Sequence, residues 1–168
     1  MKKASITPLI RSLLAAAAML AAGQTSSSYA HESYGYSGRI EGVWNARVNI
    51  TNCKPGNIPG DVVFTSFDAM NIFVRDGVFH DTNSVGPAGQ SAHFGYWRHL
   101  RRRHYEFAVR FFLFDSAGAN TGWRIVRHTV VMSSSGQNFT STGTAETFDS
   151  DGLLLTTGCS TSTGLRFD

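Results

Sequence analysis

The sequence predicts an all-β domain, an eight-stranded antiparallel up-and-down barrel. Three observations lead there. Trp44, Ala46, Val48 and Ile50 alternate with Asn45, Arg47, Asn49 and Thr51, the period-two pattern of a strand with one face in a core and one in water. Seven further strand-like runs follow, separated by turns rich in Gly, Asn, Asp and Ser. The two cysteines, Cys53 and Cys159, fall in the first and last runs, 106 positions apart. A disulfide between them needs those runs to be neighbours, which a closing barrel provides and a flat sheet does not. A two-sheet β-sandwich is the competing all-β architecture.

Residues 1–30 read as a secretory signal peptide. Lys2, Lys3 and Arg11 give a positive start, Leu13 to Ala22 is apolar, and Ser28-Tyr29-Ala30 supplies small residues for cleavage. The apolar run is too short to span a membrane. Residues 31–41 form a Ser-, Tyr- and Gly-rich flexible lead-in, and 42–168 a single barrel domain. The protein is therefore expected in the periplasm or outside the cell. Three of the fifteen basic residues lie in the signal, leaving twelve against twelve acidic ones. The alkaline pI of 9.1 is thus no sign of a nucleic-acid partner. Two cysteines in an exported chain predict one disulfide, and no C-x-x-C or clustered His suggests a metal or cofactor.

In order, strands are expected at 42–52, 61–75 (bulged around Asp68-Ala69), 78–82, 91–99, 104–115, 123–132, 139–148 and 153–163. Asp76-Gly77 and Asp149 to Gly152 mark hairpins. The fifth run alternates best, with Tyr105, Phe107, Val109, Phe111 and Leu113 on one side. No window after the signal peptide shows helical periodicity, and there are no internal repeats.

Gly42-x-Trp44 on the first strand, the eight-strand meander and Arg166 just past the last strand resemble the calycin group, which includes the lipocalins. That resemblance implies that Trp44 closes one end of the barrel and Arg166 packs across it. The chain also resembles a group of small secreted bacterial proteins that share this start, a second Gly-x-Trp (Gly95-Tyr96-Trp97), a late Gly158-Cys159 and a terminal Gly164-Leu165-Arg166.

An aromatic barrel interior is a pocket for a small apolar or amphipathic ligand. The expected wall residues are Phe64, Phe73, Trp97 and Tyr105, continuing through Phe107, Val109, Phe111 and Trp123. The same residues could instead fill a core. The hairpin between strands four and five leaves two registers open. With Trp97 inside, His93 joins Phe107 and Phe111; with a turn one residue shorter, Phe94 and Tyr96 go in and His93 goes out. The wall set above, His93 included, follows the first. Non-catalytic binding is the leading reading. The alternatives are a cyclase- or isomerase-type enzyme using His93 with Tyr105 or Tyr96, and a filled-core interaction domain acting through its loops and Arg101–Arg103. That arginine tip is either a solvated turn or an anion or partner contact at the barrel mouth. Hydrolase, metalloprotease and phosphate-loop signatures are missing.

Overall fold

The structure, a computed structural model, describes residues 39–167; the predicted signal peptide and most of the predicted lead-in lie outside the described residues. Eight strands follow one another: β1 (Gly42–Lys54), β2 (Ile58–Val74), β3 (Val78–Asn83), β4 (His93–Arg101), β5 (His104–Phe114), β6 (Asn120–Met132), β7 (Asn138–Phe148) and β8 (Leu154–Arg166). Each pairs antiparallel with the next, and β8 pairs back onto β1, so the sheet is a closed barrel. Closure leaves no long sheet edge for another chain to extend. No helix among the described residues is long and apolar enough to cross a membrane.

The closing seam is the β1–β8 ladder, which runs from Trp44 opposite Arg166 to Thr51 opposite Cys159. The Cys53–Cys159 disulfide fastens it near its second end, with Cα atoms 5.3 Å apart. Trp44 fastens the first end. Its indole is fully buried, its Nε1 donates to the Ile40 carbonyl at 2.8 Å, and the Arg166 guanidinium lies 4.2 Å over its ring. Arg166 also donates to the carbonyls of Arg39, Glu41 and Gly136. The lead-in therefore ends earlier than the sequence suggested, because Ile40 is wholly buried beneath Trp44. Arg166 is the last residue of β8 rather than past it.

Alternation decides what faces inward. At the end where β1 starts and β8 finishes, Trp44, Phe73, Phe79, Phe139, Val130 and Met132 are almost completely buried and form a plug. Phe73 meets Phe79, Phe107 and Phe139 edge-on, while Phe79 stacks on Phe107 at 4.3 Å. The inner wall leaves room for these rings by using glycine. A Cβ on Gly164 would collide with the Phe139 ring.

The bulge expected at Asp68-Ala69 lies elsewhere. β2 passes through that point in register, with Arg47 opposite Asp68 and joined to it at 2.9 Å on the outer face. The shift comes where Ile50 pairs with Thr65 but Thr51 with Val63, leaving Phe64 as the extra residue.

Candidate functional site

The other end of the barrel is not filled. A cavity of about 570 Å³ opens there, walled by β1 to β6, β8 and the loop between β3 and β4. Its apolar side is made by Val48, Ile50, Phe67, Phe107, Phe111 and Val126. Loop residues Val85 and Gln90, between β3 and β4, lie over it.

Polar groups enter this wall in a row fixed by strand register. Asn71 on β2 stands opposite Asp81 on β3, and Asp81 opposite His93 on β4. His93 stacks on Phe111 of β5 at 3.7 Å, Phe111 stands opposite Arg124 of β6, and Arg124 opposite Thr147 of β7. Neighbouring strands thus present Asn, Asp, His, Phe and Arg side by side across the cavity wall, with Thr147 next in the row behind Arg124.

Among the described residues His93 and His128 are the buried histidines, and they differ. His93 is 4 % exposed, and its Nδ1 donates to the Asp81 carboxylate at 2.5 Å. In the neutral ring that leaves Nε2 as an acceptor, with no protein partner among the described residues. His128 uses both nitrogens, bonding Ser141 Oγ at 2.7 Å and Ser160 Oγ at 2.8 Å, and Ser141 continues to Ser162 at 2.6 Å. Gly143, on β7 opposite His128, makes room for that ring, since a Cβ there would strike it. Burial lowers the His128 pKa from 6.5 to about 4. His128 is therefore a neutral structural group, whereas His93 has chemistry to spare.

This has a measurable consequence. The unfolded chain protonates His128 below pH 6.5 and the folded barrel only near 4, so its contribution is complete above pH 6.5 and lost as pH falls towards 4. The loss is on the order of 3 kcal/mol. Denaturant unfolding at a series of pH values should show a steeper decline for the native chain than for His128→Asn across that window. Parallel curves would remove the assignment.

Of the residues expected to line a pocket, His93, Phe107 and Phe111 do so. The register with Trp97 inward is the one adopted: Trp97 pairs with Phe107, and its Nε1 donates to the Val74 carbonyl at 2.7 Å. Trp97, Tyr105 and Phe73 nevertheless belong to the plug end, where Trp97 contacts both of the others. Two expected wall residues lie outside the interior altogether. Phe64 is 67 % exposed, because the bulge throws it out of the alternation. Trp123 lies on the outer face, stacked on Phe148 and carrying Arg110 4.5 Å over its ring, because Val126, His128 and Val130 take the inner positions of β6. Tyr96 is exposed on the outer face of β4, one position out of phase with His93 and Trp97. The Arg101–Arg103 tip lies at the plug end, where Arg103 accepts from Met132 N, so it is not at the mouth.

Sequence reasoning missed Asp81, Arg124 and His128. The signal was available on β6, since Val130 and Met132 fix the inner phase and counting back by twos gives His128, Val126 and Arg124. Among the described residues, no group of three or more His, Cys, Asp or Glu side chains is placed to hold a metal. No family model matches the chain, and neither a curated protein nor a solved structure matches it.

Proposed function

We propose that this is an exported, lipocalin-like barrel that binds a small apolar or amphipathic molecule in the cavity at its mouth and does not transform it. The division of the interior carries this reading: one end is packed with aromatic rings, while the other keeps about 570 Å³ open. That volume falls in the range of small-molecule sites, and the wall combines apolar surface with a few polar groups, as such sites do. The disulfide suits an oxidising compartment. Trp44 beneath Arg166 supports the lipocalin-like part.

Native mass spectrometry of the non-reduced protein, purified from its own host, tests the reading. A co-purified molecule of constant mass is expected, and Val126→Trp, which fills the cavity from β6, should be recovered without it. A bare chain that also takes up neither dodecanol nor dodecanoate overturns the proposal.

The Asp81–His93 pair favours a second reading, a small barrel enzyme in which Nε2 moves a proton on the bound molecule. It predicts that the co-purified compound changes structure on incubation with the native protein and not with His93→Phe. A compound recovered unchanged from both removes it.

A further inference from the structure

Every described Arg on the outer wall that makes an ion pair has an acidic partner across a strand: Arg47 with Asp68, Arg98 with Glu106, Arg127 with Glu146. Arg110 lies over outer-face aromatic rings, and Arg166 is held by carbonyls and the Trp44 ring. Arg124 is the arginine that lines the cavity. Its Nε donates to Thr147 Oγ1 at 3.0 Å, and it makes no ion pair among the described residues. Asp81, the acidic residue on the same cavity wall, is engaged by His93.

A guanidinium presents five N–H donors in a flat fork, and the bond to Thr147 uses one of them. The terminal nitrogens have no protein acceptor among the described residues. Desolvation lowers the pKa of Arg124, and no neighbouring acid acts against that shift. A half-buried positive charge with no counter-charge is unfavourable, and an anion from outside relieves it. Bidentate pairing with a carboxylate is the arrangement this fork fits best. From Arg124 the wall continues into Val126 on its own strand and, across the cavity, Val48, Ile50 and Phe67. Those residues offer an apolar chain nothing to hydrogen-bond and much to cover.

We infer that the cavity takes a carboxylate-bearing amphiphile, its head group seated on the Arg124 guanidinium and its apolar chain lying along Val48, Ile50, Phe67 and Val126. This rests on the ligand-binding reading above and adds the charge of the ligand and the residue that reads it.

Dodecanoate and dodecanol share a chain and differ in the head, so the pair isolates the head-group contact. Titrations at neutral pH should show the native protein binding dodecanoate at least about tenfold more tightly than dodecanol. Arg124→Met keeps the length of the side chain and removes the charge. It should weaken dodecanoate about tenfold or more and change dodecanol by less than about threefold. Arg124→Lys, with a charge but no fork, should fall between the two. Retained dodecanol binding shows that the variants are folded. Equal affinity of the native protein for both probes, or an undiminished preference in Arg124→Met, overturns the head-group assignment alone. Uptake of neither probe by the native protein overturns the binding reading and this inference with it.

Discussion

Removing the Cys53–Cys159 bridge is expected to lower the unfolding free energy by about 4–5 kcal/mol. The bridge closes a loop of 106 positions, and the entropy it withholds from the unfolded chain grows with the logarithm of that length. Cys159 is also almost fully buried, with Cys53 exposed beside it, so the bridge fastens the barrel seam from its outer side. Urea unfolding of Cys53→Ala/Cys159→Ala against the oxidised protein measures the effect. A loss below about 1 kcal/mol would mean that the reduced chain keeps its two ends together without the bridge, and the entropic account would fail.

Trp44→Ala should cost about 3–5 kcal/mol, at the other end of the same seam. The indole is fully buried, meets the Phe139 ring edge-on at 5.1 Å, and underlies the Arg166 guanidinium. Its removal leaves a cavity among rings that cannot collapse onto one another, because the strands holding them are tied in a closed ladder. It also strips Arg166 of the surface on which it rests. Trp44→Phe keeps an aromatic face and loses the bond to Ile40 O and the volume of one ring, so it should recover more than half of the loss. The same denaturant titrations decide this. Equal losses for the two variants would place the stabilisation in the indole's second ring and its hydrogen bond rather than in the aromatic face that phenylalanine retains.

The barrel was legible because most of its wall obeys strict alternation. Tyr105, Phe107, Val109 and Phe111 on β5 are all buried, and each lies where period two puts it. The seam was legible from the position of two cysteines. The site was less so, for two physical reasons. Phase is lost at irregularities: Phe64 sits at a bulge, and the inward turn of His93 depends on a β4–β5 hairpin whose register shifts between His99 and Arg101 and whose Arg102 adopts a φ of 47°. The second reason is that the cavity inverts the usual rule. Asp81 and Arg124 face in while Phe94, Phe112 and Trp123 face out, so hydrophobicity near the mouth points the wrong way. Local rules tend to break where a protein keeps a site, and the phase set by the plug residues is the safer guide there.

An even number of antiparallel strands returns the chain to the end from which it started. Phe167 N donates to the Val43 carbonyl at 2.9 Å, and an Arg166 nitrogen reaches the Arg39 carbonyl at 2.8 Å, so both limits of the described chain lie against the plug. Residues 39 and 167 therefore both sit at the base of the barrel, on the side away from the cavity. A support coupled at a surface position beside Arg39 or Phe167 would face the plug and leave the mouth free to exchange its contents.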